Sequence, residues 1–142
     1  MFLSAVDVRF HDNGEIGGTL LSPLGYQWRD MEIWVPGGFV SDFGSVPGLF
    51  SGFVPRIGLS AGAFVLHDYV YRQCGLINED TLDTHIISRK DADDIMRAAM
   101  RDLHVPAWRR YLAWAGCRIG AGLSWDKRCK GLGHYQRDED RF

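Results

Sequence analysis

Four polar residues in two segments of this chain have the types and the spacing that acid–base chemistry uses. The segment FVLHDYVYRQC places His67 next to Asp68, with Tyr71 one helical turn later, in an apolar stretch. The later segment SRKDADDIM contains Asp93. Burying an imidazole or a carboxylate costs several kcal/mol unless the group is paired, so folding alone does not explain these residues.

Helical spacing would bring these side chains together. Apolar residues recur every three to four positions, which predicts a helix from Ser60 to about Arg72 and another that begins after Ser88. Asp93 lies beside the apolar stripe of the second helix and can approach His67 if the two helices pack antiparallel. A carboxylate that holds one imidazole nitrogen leaves the other free to act as a base on water. We therefore predict a hydrogen bond between His67 and Asp93.

A neighbouring set of oxygens could bind a cation. Asp68 points about 100° around the helix from His67, which would allow it to hold a metal ion. Asp42 and Ser45, in the loop GGFVSDFGSVP, offer further side-chain oxygens. A purely local role for Asp42 in an Asx-turn stays open. We predict Asp68 and Asp42 as metal ligands.

The motif His-Asp-x-x-Tyr on one helix, followed by Ala-Asp on a second, resembles the catalytic core of calcium-dependent phospholipases of the secreted and parvoviral type. The resemblance implies that His67 is the base and that Asp68 binds calcium. It also implies that Asp93 orients the histidine and that Tyr71 supports that aspartate. A lipid ester is the substrate class that it implies.

A second resemblance covers most of the chain. The segments GGFVSDFGSVP, VLHDYVY, SRKDADDIM and GCRIGAGLSW, in this order, resemble an uncharacterised protein family carried mainly by tailed bacteriophages and prophages. This resemblance implies a phage origin, with phage tail or virion proteins as candidate partners. It does not by itself imply a chemistry.

The composition is that of an ordinary globular protein. Apolar residues make up 46% of the chain and charged residues 24%, and the formal net charge is -2. The lack of a basic excess argues against nucleic acid as a partner. No apolar run reaches the roughly 18 residues of a membrane span, and the N-terminus lacks the pattern of a secretory signal. We expect synthesis in the host bacterial cytoplasm, with incorporation into the virion as an open alternative.

Cysteine usage agrees with that expectation. The chain has three cysteines, an odd number at wide spacings, and contains no Cys-x-x-Cys pair. This pattern does not indicate a disulfide framework or a thiolate zinc site. We expect Cys74, Cys117 and Cys129 to be free thiols in a reducing compartment.

The predicted elements are strands first and helices second, which indicates one α+β domain over residues 1–142. Residues 1–58 are predicted to form a small antiparallel β region, with YQWRDMEIWVP as a strand, and a long ordered loop. About three packed helices are expected in 59–125 and a charged tail in 126–142.

The faces of the helices can be predicted as well. Asp94, Arg97 and Arg101 should form a solvated ion-pair face on the second helix. Proline suits the first turn of a helix, so a third helix is expected to start at Pro106. Its core-facing apolar stripe is predicted to consist of Trp108, Tyr111, Leu112, Ala115 and Ile119.

Two functional hypotheses from different classes follow. The first is a phage-encoded, metal-dependent hydrolase of lipid esters or of cell-wall amides in peptidoglycan, with His67 as the base; a zinc hydrolase that uses Asp42, His67 and one further carboxylate is a variant. The second is a non-catalytic virion or tail-assembly component. In that case Arg89 would pair with Asp68 or Asp42 in a structural polar network.

Overall fold

A computed structural model describes residues 1–12, 17–43, 60–78 and 84–132, and its architecture is α+β. Within these ranges, short antiparallel strands form most of the first part and four helices form most of the rest. The predicted fold class is therefore confirmed. Ser45 and the end of the predicted charged tail lie outside the described residues.

Seven strands in these ranges pair into three small antiparallel sheets. The first has the order β1-β2-β5 and consists of Val8–Phe10, Gly18–Leu20 and Val40–Ser41. The second pairs β3 with β4, Leu24–Trp28 and Met31–Val35, and the third pairs β6 with β7, Leu76–Asn78 and Thr84–Ile86. Because Ser41 is paired with Gly18, the first sheet fixes the point at which the chain leaves β5.

The segment YQWRDMEIWVP is a hairpin and not the single strand that was predicted. Trp28 pairs with Met31, and the chain reverses between them at Arg29, whose φ is 53°. Arg-Asp lacks the Asn-Gly or Asp-Gly signature of a two-residue turn. The reversal was therefore not visible in the sequence.

The four helices of the described chain carry the core. They are α1, α2, α3 and α4, which span Ala61–Arg72, Arg89–Asp102, Ala107–Gly120 and Gly122–Cys129. The first two match their predicted positions, and α4 continues beyond residue 125. None of the described helices combines the length and the apolar character needed to cross a membrane.

α1 is the central element, because ten of its twelve residues are buried. It packs against α2 and also contacts β4 and β5. The N-terminal segment crosses it closely: a Cβ on Gly62 would lie 2.7 Å from a methyl carbon of Val6. A helix buried on nearly all sides can hold polar side chains only where its neighbours pair them.

α2 is amphipathic, as its periodicity predicts. Ser88 caps it, because its side chain accepts a hydrogen bond from the amide of Asp91 at 3.0 Å. The apolar face is fully buried and consists of Ala92, Ile95, Met96 and Ala99. Asp93 lies at the edge of this face and is also fully buried.

The core-facing stripe predicted for α3 is wrong. Trp108, Tyr111 and Ile119 are 55%, 56% and 66% exposed. The side of α3 that is buried carries Ala113, Gly116, Cys117 and Arg118. Small residues allow a close approach of the helices, and Arg118 is turned inward toward a buried carboxylate. The orientation of α3 therefore follows the contact of Arg118 with this carboxylate and does not bury the predicted apolar stripe.

The expectation of three free thiols is also wrong. Cys74, just after α1, and Cys129, at the end of α4, form a disulfide with Cα atoms 5.6 Å apart. The two cysteines are 55 positions apart, so only the folded arrangement reveals that they are neighbours. Cys117 is free and buried.

Candidate active site

The predicted hydrogen bond between His67 and Asp93 is present. α1 and α2 pack against each other, and Nε2 of His67 lies 2.7 Å from Oδ1 of Asp93. His67 is only 5% exposed, and Asp93 is fully buried. Because Asp93 occupies Nε2, Nδ1 is the ring nitrogen left for other partners.

Tyr71 supports the same carboxylate. Its hydroxyl donates a hydrogen bond to Oδ1 of Asp93 at 2.8 Å, and its ring lies 4.2 Å from the imidazole of His67. Burial, and then the negative charge of Asp93, raise the pKa of Tyr71 well above its usual value. The hydroxyl therefore keeps its proton and remains a donor.

Two arginines complete the surroundings of Asp93. The sequence suggested one of them, Arg89, but as a partner of Asp68 or Asp42. Nη1 of Arg118 lies 3.3 Å from Oδ2, and Nη1 of Arg89 lies 3.8 Å from the same oxygen. Both guanidinium groups are buried. The spacing of four residues between Arg89 and Asp93 could have indicated one of these pairs. Arg118 comes from α3 and gives no comparable signal.

Arg89, the first residue of α2, is buried and also contacts α3. Besides its approach to Asp93, it donates hydrogen bonds to the carbonyl oxygens of Cys117 and Arg118, at 3.1 and 3.2 Å. These carbonyls belong to the last turn of α3, and that of Cys117 also accepts a hydrogen bond from the amide of Ala121 at 3.0 Å. Arg89 therefore joins the start of α2 to the end of α3.

His67 carries a proton at neutral pH in this environment. Burial alone would lower the pKa of His67. The electrostatic interactions of His67 with Cys117 and Asp93, and hydrogen bonds to both, outweigh burial and raise the pKa of His67 from 6.5 to about 10. The imidazolium is thus the form that the folded protein favours.

Asp68 faces a different set of partners. Ser41, at the end of β5, donates a hydrogen bond to Oδ2 of Asp68 and accepts one from the amide of Phe43 at 3.0 Å. Burial raises the pKa of Asp68, the Ser41 hydrogen bond opposes this, and the neighbouring Asp42 raises it further, to about 6. The two predicted metal ligands, Asp42 and Asp68, therefore do lie close together.

A cavity of about 150 Å³ opens beside these groups. Tyr71 and three other predicted site residues line it, and the wall also includes residues of α3 and α4 that the sequence did not suggest. Besides Tyr71, the polar members of the lining are Asp42, His67, Asp68, Arg72, Cys117, Ser124 and Arg128. Asp93 is buried behind His67 rather than in this wall.

A metal ion does not fit the group formed by His67, Asp93 and Cys117. Potential ligand atoms of these three residues lie within 4.8 Å of one another, and nitrogen, oxygen and sulfur are donors that zinc accepts. However, Arg118 and Arg89 already flank Oδ2 of Asp93, and Oδ1 receives two hydrogen bonds. A divalent cation would have to displace a guanidinium group or sit beside it.

The solvated ion-pair face predicted for α2 is only partly correct. Asp94 does pair with Arg97, at 3.3 Å, and also with Lys90, at 2.8 Å. It is nevertheless buried, because the indole of Trp114 covers it and donates a hydrogen bond at 2.8 Å. Arg101 lies instead beside Asp102.

The fold and the site together define an α+β protein with a buried Asp–His pair whose histidine lines a small cavity. Residues 18–117 match the model of a family described as a protein of unknown function, DUF1353. The match covers more than half of the chain, so this chain belongs to the DUF1353 family. It includes His67 and Asp93 and ends one residue before Arg118.

No curated protein matches the chain, and no solved structure does either.

Replacing Asp93 by Asn is expected to lower the free energy of unfolding by about 3–5 kcal/mol, because buried cations lose their carboxylate. Asp94→Asn is a matched control one residue away. Asp94 pairs with Lys90 and Arg97, whose side chains are 49% and 34% exposed. Asp94→Asn should therefore lower the free energy of unfolding by only about 1 kcal/mol. Urea unfolding of both variants measures the difference, and equal losses would contradict the central role of Asp93.

The raised pKa of His67 predicts a specific dependence of stability on pH. The contribution of the protonated ring is fully present below pH 6.5 and is lost as the pH rises toward about 10. The difference in unfolding free energy between the wild type and His67→Gln should therefore shrink between these two pH values. Ser124→Ala, at a cavity residue that does not titrate, should show no such trend. A His67→Gln difference that stays constant would refute the prediction.

Proposed function

We propose that this protein is a hydrolase of ester or amide bonds in which His67 takes a proton from the attacking water. The observation that carries the proposal is the position of His67, which lines a cavity while its Nε2 is held by Asp93. A general base needs both an orienting partner and access to the reacting molecule. A histidine that served only in packing would not need a cavity.

In the proposed reaction, a water molecule gives a proton to Nδ1 of His67 and its oxygen attacks the carbonyl carbon of the substrate. Asp93 stabilises the imidazolium that forms, and Tyr71 and the two arginines hold the carboxyl group of Asp93 in place. The tetrahedral intermediate then collapses, and the C–O or C–N bond breaks. The imidazolium returns the proton to the leaving group, and His67 ends the cycle neutral.

The base form of His67 is the minor form at neutral pH, because its pKa is raised to about 10. A reaction that needs the neutral imidazole should therefore accelerate as the pH rises from 7 toward 10.

Asp42 and Asp68 are the residues that would hold a divalent cation. Carboxylate oxygens are the ligands that calcium and magnesium prefer. The proximity of the two carboxyl groups contributes to the raised pKa of Asp68, and a cation would relieve this repulsion. When bound, such an ion polarises a carbonyl or phosphoryl oxygen. Calcium is the ion that the phospholipase resemblance favours over zinc.

Lipid esters are the first substrate class to test, because the contacts among His67, Asp93 and Tyr71 are those that the phospholipase resemblance implies. Amides of peptidoglycan are the second class. Both occur in the bacterial envelope, which a phage has to cross, so the proposal is compatible with a phage origin and with association with tail or virion proteins.

Cys117 favours a second candidate mechanism within the same reaction class. Its thiol lines the cavity and lies within 4.8 Å of a ring nitrogen of His67. In this mechanism the thiolate attacks the carbonyl carbon and His67 donates a proton to the leaving group. Water then hydrolyses the thioester, with His67 as the base. The charge of Cys117 is one of the causes of the raised pKa of His67, which supports an ion pair between them.

His67→Gln should lose at least about 10²-fold in the rate of hydrolysis of a phospholipid or a peptidoglycan fragment, because glutamine cannot take up the proton. His104→Asn, at an exposed histidine, is the matched control and should keep full activity. Assays from pH 7 to pH 10, with and without calcium, cover both the base and the proposed ion.

Cys117→Ser separates the two mechanisms in the same assays. An unchanged rate would support attack by water, whereas a loss as large as that of His67→Gln would support attack by the thiolate. If the wild type hydrolyses neither substrate at any of these pH values, the hydrolase proposal is wrong. The polar network would then be structural, as in a virion component.

Calcium is expected to raise the melting temperature of the wild type, because only the folded state brings Asp42 and Asp68 together. At 100 times the dissociation constant, the stabilisation would be about 2.7 kcal/mol, which corresponds to several degrees. Asp68→Asn should abolish this increase, and Asp7→Asn, at an exposed aspartate, should preserve it. Melting curves of the wild type that do not respond to calcium, magnesium, manganese or zinc would remove the metal from the proposal.

A further inference from the structure

The last two helices expose an apolar surface formed by Trp108, Tyr111, Ile119 and Leu123, called the helical apolar surface below. These four side chains are 55%, 56%, 66% and 80% exposed. The first three lie on one face of α3, at spacings of three and eight residues. Leu123 lies in the first turn of α4, just after the break between the two helices at Ala121. Clustered apolar residues at the surface, unlike scattered ones, indicate a site of interaction.

The same part of the chain concentrates positive charge. Residues 107–130 contain six Lys or Arg and one Asp, which gives a net charge of +5. The rest of the chain contains ten Lys or Arg and seventeen Asp or Glu, which gives a net charge of -7. Arg118 is buried in the Asp93 network. The five other cations lie at full or partial exposure and are Arg109, Arg110, Lys127, Arg128 and Lys130. The small overall net charge therefore conceals a strongly polarised molecule.

Basic side chains border the helical apolar surface directly. The guanidinium group of Arg109 lies 5.0 Å from the centre of the Trp108 ring. On α4, Lys127 follows Leu123 by one helical turn, which places the cation and the leucine on the same face. Aromatic and aliphatic residues flanked by lysine and arginine form the pattern of helices that lie at a membrane surface.

We propose that α3 and α4 bind the surface of a membrane that contains anionic lipid. The five surface cations would lie among the lipid headgroups, and Trp108, Tyr111, Ile119 and Leu123 would enter the boundary between headgroups and acyl chains. A second copy of this chain is a poor occupant of the surface. Symmetric pairing would bring two segments of net charge +5 together.

Part of the cavity wall comes from the same stretch of chain as this surface. Gly120, Ala121 and Ser124, which line it, lie in the sequence beside Ile119 and Leu123. Binding to a bilayer through α3 and α4 would therefore bring the cavity close to the headgroup region. The binding itself does not depend on the proposed hydrolase activity, so the two proposals can fail separately.

Co-sedimentation of the full chain with lipid vesicles tests the proposal. Vesicles of phosphatidylcholine with about 30% phosphatidylglycerol should retain the protein at least about tenfold better than phosphatidylcholine alone, because each basic residue adds roughly fivefold on an anionic surface. Raising the salt from about 0.1 M to about 1 M should weaken the binding. His67→Gln should bind like the wild type, which separates binding from hydrolysis.

Two pairs of substitutions locate the surface. Lys127→Glu with Lys130→Glu should weaken binding at least about tenfold. Arg9→Glu with Arg29→Glu makes the same change in charge at two exposed sites outside α3 and α4, and its effect should be much smaller.

The double variant Ile119→Ser with Leu123→Ser tests the apolar contribution to binding. Ile86→Ser is its control, because Ile86 is 52% exposed and lies outside α3 and α4. The double variant should lose most of its binding, whereas the control should keep it.

The proposal is overturned by equal retention on both kinds of vesicle, or by unchanged binding of the two double variants on α3 and α4. A third result would also overturn it: the wild type does not bind anionic vesicles, and size-exclusion chromatography shows a dimer that the double variant Ile119→Ser with Leu123→Ser dissociates. In that case a second copy covers the surface. Circular dichroism shows whether each variant is folded. Apart from the buried His67, the substituted residues are exposed, so their replacement is not expected to unfold the protein.

Discussion

The site depends on providing partners for one carboxyl group, that of Asp93, which is fully buried inside the protein. Removing the charge of Asp93 from water costs several kcal/mol unless partners replace the lost hydration. Three helices provide these partners: His67 and Tyr71 from α1, Arg89 from α2 itself, and Arg118 from α3. Because side chains from all three helices contact the same carboxyl group, the packing of the helices and the orientation of His67 depend on each other.

This arrangement also accounts for the unusual surface of α3. Successive residues of a helix point about 100° apart, so a helix that turns Arg118 toward Asp93 turns Ile119 away from that contact. Trp108 and Tyr111 share the face of Ile119 and are exposed with it. Because the buried carboxylate of Asp93 needs Arg118 as a cation, α3 exposes an aromatic and aliphatic face that it would otherwise use for packing.

Local patterns in the sequence predicted α1 and α2, because apolar periodicity, and in α2 the Ser88 cap, act within a single helix. The side chain of Ser60, in contrast, makes no cap hydrogen bond at the start of α1. They were also sufficient to place His67 beside Asp93. The contributions of Arg118 and of the Cys74–Cys129 bond were not predictable, since both depend on how distant segments meet. The burial of Asp94 has the same origin: its neighbours on α2 predicted a solvated carboxylate, but Trp114 arrives from another helix and covers it.

The disulfide between Cys74 and Cys129 encloses α2, α3 and nearly all of α4 in one covalent ring, with α1 just outside it. Such a ring, with its ends 55 residues apart, restricts the unfolded chain far more than the folded one. By loop-closure entropy, the restriction is worth about 4 kcal/mol. The chain therefore has two stabilities, one for each redox state of its surroundings. Where thiols stay reduced, the contacts around Asp93 must hold the three helices together without this entropic assistance.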